Sequence, residues 1–133
     1  GYEGGSIEKN TEVLLKVMGN PYIGLLAHPG NPAYPVDIQK IVKAAKEAGI
    51  VIEINNSSPT SRVGSWERCL EFAREIKRLN WVVAIGSDAH ISTMVGTFDT
   101  ALALIKEAGL TPENVVNTSL EKIDKYLLKN AKQ

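Results

Sequence analysis

Apolar residues in this chain follow two rhythms, and the switch from one to the other marks its elements. Short, mainly apolar runs occupy 23–27, 50–54 and 81–85, the second interrupted by Glu53. Each run is too short for a helix and apolar on both faces, which predicts strands buried between two layers. Between them, apolar residues recur at three- and four-residue spacing, as in helices with one buried stripe. Ser6 is placed to cap a helix over 7–18, with Ile7, Val13, Leu14 and Val17 near one face and Gly19-Asn20-Pro21 stopping it. Further helices are predicted over 36–48, closed by Gly49, over 66–79, capped by Ser65, and over 93–108, ended by Gly109. Val115-Val116 is a candidate last short strand. Ser119 is placed to cap a terminal helix to about residue 129, with a frayed tail over 130–133. The glycine-rich opening, residues 1–5, reads as a loop.

Strands alternating with helices through short connections predict an α/β fold, with parallel strands in one sheet and right-handed crossovers. No repeat, low-complexity segment or linker divides the 133 residues, so a single unit is expected. Hydrophobic residues make up 44% of the chain, enough for a real core. Lys plus Arg and Asp plus Glu both number 15, so the formal net charge is zero and no basic stripe points to nucleic acid. No apolar run approaches the roughly 20 residues of a membrane span, and the N-terminus carries no signal-peptide pattern. The single cysteine, Cys69, has no internal disulfide partner and reads as an ordinary helix-face thiol. A soluble, cytoplasmic protein is therefore expected.

The polar residues that follow the strands carry the chemistry. The run at 81–85 passes through Gly86-Ser87 to Asp88 and His90, and period-two alternation predicts that these two side chains face the same way. Parallel α/β folds build their sites at this C-terminal end of the strands. A carboxylate and an imidazole meeting there offer oxygen and nitrogen to a divalent metal. The chain's only other histidine, His28, directly follows the strand at 23–27, so His28, Asp88 and His90 form the candidate metal set. Glu53 and Asn55 share a face of the middle strand, where a buried carboxylate needs a partner. Glu53 fits either hydrogen bonding to nearby amides or support of a metal ligand. Arg62, in Ser-Arg-Val-Gly-Ser, is a candidate phosphate contact through its planar fork.

Three motifs, His28-Pro29-Gly30-Asn31-Pro32, Glu53-Ile54-Asn55-Asn56-Ser57-Ser58 and Gly86-Ser87-Asp88-Ala89-His90, resemble in order and spacing the later motifs of the PHP superfamily, named for polymerase and histidinol phosphatase. The likeness is greatest to its YcdX-like phosphatase branch and covers essentially the whole chain. The resemblance implies a distorted (β/α)7 TIM-like barrel with a trinuclear site, commonly zinc or manganese, that hydrolyses small-molecule phosphoesters. It matches His28, Asp88 and His90 to metal ligands and makes Asp88 and His90 catalytic through the metal-activated water. It matches Glu53 and Asn55 to the pocket wall, with Asn55 and Arg62 as candidate substrate contacts.

The first motif of that family, two histidines separated by one residue, and its bridging glutamate have no counterpart here. Residues 1–133 are therefore expected to be a partial PHP domain, the C-terminal half of the barrel, with an incomplete metal centre. Half a barrel has unpaired strand edges, so a homodimer or larger oligomer is expected to cover them. Two other function classes remain open: a non-catalytic module that binds metal or phosphate, and an amidohydrolase-like metal-dependent barrel.

Overall fold

The computed structural model describes residues 4–128. Three parallel strands, β1 (Leu25–Leu26), β2 (Val51–Asn55) and β3 (Val83–Gly86), lie side by side in chain order. Among the described residues, six α-helices alternate with them: α1 (Ile7–Met18), α2 (Ile38–Ala48), α3 (Ser58–Ser61), α4 (Ser65–Arg78), α5 (Asp99–Glu107) and α6 (Leu120–Tyr126). The predicted α/β alternation with a parallel sheet is thus present. Among the described residues, no helix is long and apolar enough to cross a membrane.

The sheet is covered on both faces. Leu26, Ile52, Ile54 and Val83 point into the larger core with Ile41 and Val42 of α2, Phe72, Ala73 and Ile76 of α4, and Leu104 of α5. Alternation sends Val51, Val82 and Ala84 to the opposite face, where they pack with Val116, Ile123, Tyr126 and Leu127. Trp81 joins the two layers: its indole N–H donates to the Ile50 carbonyl at 2.8 Å, and its ring meets Tyr126 edge-on with centroids 5.7 Å apart.

Several boundaries depart from the sequence reading, each for a local reason. The strand predicted over 23–27 pairs only at Leu25 and Leu26, because the Ile23 amide closes a turn onto Asn20 and His28 turns away with φ 32°. The middle strand starts one residue late: Gly49, in left-handed conformation at φ 70°, ends α2, and the Ile50 amide bonds back to Ala45. Helix α2 starts at Ile38 rather than residue 36, since the Asp37 carboxylate accepts the Lys40 amide at 3.1 Å. Ser65 lies inside α4 instead of capping it; Gly64, at φ 80°, precedes the helix and the Ser65 side chain is buried.

The helix expected over 93–108 is divided into a 3-10 turn, Ser92–Met94, and α5, because Gly96 takes φ 80° between them. Helix α3 lies between the strand predicted at 50–54 and the helix predicted over 66–79, where no element was expected. Ser6 and Ser119 cap α1 and α6 as expected, accepting the amides of Lys9 and Lys122 at 3.2 Å each. The predicted helix end at residue 129, the tail over 130–133 and the first three glycine-rich positions fall outside the described residues.

The two sheet edges differ. Beyond β3, Val115 makes a single parallel bridge to Val83, which is all that forms of the expected last strand. Next along, the Asn117 carboxamide takes the place of a neighbouring strand: its oxygen accepts the Ile85 N–H at 2.9 Å and its nitrogen donates to the Ile85 carbonyl at 2.8 Å. Among the described residues, no segment pairs with the outer edge of β1. Asn117→Ala removes both partners of Ile85 and is expected to cost about 1–3 kcal/mol in chemical denaturation, with faster amide exchange at Ile85. Unchanged stability together with unchanged Ile85 exchange would refute that role.

Candidate active site

All three motifs lie at the C-terminal end of this sheet, on adjacent strands. After β1 the chain reaches His28, half-buried and with φ 32°. The loop that follows is pressed onto α4. Gly30 is buried, its carbonyl accepts the Ser65 hydroxyl at 3.4 Å, and a Cβ at this position would stand 2.8 Å from the Cys69 sulfur. Close approach to the helix, rather than an unusual backbone angle, is what requires glycine at position 30. The Asn31 side chain accepts the Ala33 amide at 3.1 Å and tightens the turn.

In the centre, Glu53 points toward both neighbouring strands. Its Oε2 accepts the His28 backbone N–H at 2.7 Å, and its Oε1 lies against Gly86 so closely that any side chain there would collide with it. Asn55, at the end of β2, is 2% exposed, and its Oδ1 already accepts the Ser57 amide at 3.0 Å, the Ser58 amide at 2.8 Å and the Ser58 hydroxyl at 3.1 Å. This oxygen therefore organises the turn into α3 instead of facing a ligand. Arg62, half-buried just after α3, donates from Nη1 to the Ser58 hydroxyl at 2.7 Å, so Asn55, Ser58 and Arg62 form one chain of hydrogen bonds.

At the exit of β3, the strand ends at Gly86 and Asp88 adopts φ 53°. Strand alternation therefore does not carry Asp88 and His90 to a common side, contrary to the sequence expectation. A local bond joins them instead: His90 Nδ1 lies 2.7 Å from the Asp88 carbonyl. A carbonyl only accepts, so Nδ1 is the donor in this contact and Nε2 takes no part in it. Asp88 is half-buried and His90 exposed.

Sequence reasoning missed Asn56 and Ser57 as the residues that fasten these loops together. The Asn56 amide donates to the Gly86 carbonyl at 2.8 Å, its side-chain oxygen accepts the Ala101 amide in the first turn of α5 at 2.9 Å, and the Ser57 hydroxyl donates to the Ser87 carbonyl at 3.0 Å. The run of Asn and Ser after β2 signals a turn, but its partners are distant in sequence.

Among the described residues, no group of three His, Cys, Asp or Glu converges tightly enough to hold a metal ion. His28, Asp88 and His90 follow the strands at one end of the sheet with donor types that a divalent metal takes, but they form no complete ligand set among the described residues.

No protein-family model matches the chain. Its sequence is 49% identical over 122 residues, 92% of the chain, to a probable phosphatase of Acetivibrio thermocellus, and 50% identical over 122 residues, 91% of the chain, to one of Thermoanaerobacter sp. (strain X514). The chain resembles probable phosphatases. A third, from Caldanaerobacter subterraneus subsp. tengcongensis, is 46% identical over 128 residues, 96% of the chain. In each case the chain spans about half the relative's length: 51%, 50% and 50%.

Cys69 lies beneath the His28 loop, and burial pushes its thiol up from the ordinary 9.0, against the opposing pull of the Ser65 hydroxyl and the Arg62 charge. It therefore stays protonated at neutral pH. Labelling by a thiol-specific disulfide reagent at pH 8 is expected to be at least about tenfold slower in the folded chain than in urea. Equal rates would contradict the buried, protonated thiol.

Proposed function

We propose that this chain is part of a metal-dependent phosphoesterase of the PHP superfamily, of its YcdX-like branch, acting on small-molecule phosphoesters. One observation carries the reading: motifs 25 or more residues apart in sequence reach the same end of one parallel sheet on neighbouring strands. Similarity to probable phosphatases supports the choice of phosphoester chemistry. On this reading the sheet is the C-terminal half of a distorted (β/α)7 barrel, and other strands complete it.

His28, Asp88 and His90 supply part of the metal set, and the half of the relatives' length that this chain does not span supplies the rest. Zinc or manganese bound there would contribute positive charge against the phosphoryl oxygens. Within the chain, the Asp88 carbonyl orients His90 so that Nε2 is available, and the carboxylate of Glu53 holds the backbone of His28. Arg62, fixed by Ser58 and through it by Asn55, offers its guanidinium to a substrate phosphate. A reducing, cytoplasmic setting suits the free thiol of Cys69.

In a protein of the relatives' full length, Asp88→Ala is expected to lower hydrolysis of p-nitrophenyl phosphate by at least about a hundredfold and to reduce bound zinc or manganese. Wild-type turnover with normal metal occupancy in that variant would overturn the assignment. If the parent itself bound neither metal nor phosphoester, it would instead be a non-catalytic module. For the 133-residue chain alone, the edge of β1, which no described segment pairs, favours association with a second copy. Sedimentation is expected to show a dimer or larger species, and a strict monomer at all concentrations would exclude it.

A further inference from the structure

We infer that Glu53 is a positioning residue that couples the loop carrying His28 to the loop carrying Asp88 and His90, with Gly86 as the gap that allows it. The inference rests on the reading of those three residues as the site. Glu53 is the only charged residue within the three strands. A carboxylate on a covered sheet is costly unless both oxygens are accommodated.

Here they are, on opposite sides. Oε2 takes the His28 amide at 2.7 Å, a charge-assisted bond that offsets the cost of holding a histidine at φ 32°. Oε1 fills the space over Gly86, whose own backbone angle does not call for glycine. The requirement at position 86 is therefore spatial: an alanine there would push the carboxylate away, and with it the acceptor of the His28 amide. The β3 exit cannot yield easily in response, because Asn56 and Ser57 pin the Gly86 and Ser87 carbonyls to the β2 exit. Glu53 thus sets where His28 stands relative to the Asp88 turn.

Amide hydrogen exchange on the whole chain tests this, using Glu53→Ala, Glu53→Gln, Gly86→Ala and the double variant Glu53→Ala/Gly86→Ala. Glu53→Ala is expected to speed exchange at the His28 amide at least about tenfold, while amides in α2 and α4 keep their protection. Glu53→Gln retains an acceptor oxygen and should stay within about threefold of wild type. Gly86→Ala should also speed His28 exchange, although residue 86 makes no bond to His28, and should add nothing in the Glu53→Ala background. An unresponsive His28 amide, or a Gly86→Ala effect of equal size with and without Glu53, overturns the coupling. Should Glu53→Ala lose protection throughout α2 and α4, the decision falls to Gly86→Ala and Glu53→Gln, where a His28 amide unchanged in the first or fully exposed in the second overturns it.

The same substitutions in a full-length parent, assayed on p-nitrophenyl phosphate, separate this inference from the functional reading. Hydrolysis in the wild type with no His28 response discards the coupling and leaves the phosphoesterase reading. A His28 response without wild-type hydrolysis does the reverse.

Discussion

The middle strand has to satisfy constraints on every side at once. β2 is paired along both edges and covered on both faces, so each of its residues has one permitted direction and a restricted volume. Ile52 and Ile54 fill the helix-side core, and Val51 packs on the opposite side. Glu53 shares the Val51 face, further along the strand, with its two oxygens directed at the neighbouring strands. One polar residue is tolerated at the centre of this sheet because a backbone amide and a missing side chain accommodate it.

The loops beyond β2 and β3 are bonded to one another as well as to the helices around them. Asn55, Asn56 and Ser57 direct their hydrogen bonds into the turn that follows β2, across to the β3 exit, and into the first turn of α5. Glycine acts here through the side chain it lacks, letting α4 approach at Gly30 and a carboxylate approach at Gly86. Two of the candidate site residues, His28 and Asp88, are held at positive φ just outside the sheet. The Glu53 carboxylate holds the His28 amide, and the Asp88 carbonyl is bonded to the His90 ring.

The two edges of the sheet show how such a structure limits its own growth. On the β3 side, one bridge and a side-chain amide occupy the groups a further strand would use. On the β1 side, the short ladder at Leu25 and Leu26 faces outward, next to a helix that exposes Ile7, Val13, Leu15 and Val17. Apolar surface and a strand edge that no described segment pairs thus lie together on this side.

Much of this was legible in the sequence. Consecutive apolar residues identified the three strands, helical spacing identified the main helices, and Ser6, Ser119 and Gly49 marked their ends, because these signals arise from contacts within a few residues. The positions of His28, Asn55, Asp88 and His90 at or just past strand ends, and of Glu53 within the middle strand, were legible for the same reason. Only the tertiary structure decided that strand alternation stops before Asp88, that the Asn55 oxygen is committed to the turn into α3, and that Glu53 reaches from one neighbouring strand to the other. Each of these depends on which distant segment supplies the donor, the acceptor or the gap. A local pattern specifies the direction of a side chain along its own element; what waits at the end of it is set by packing.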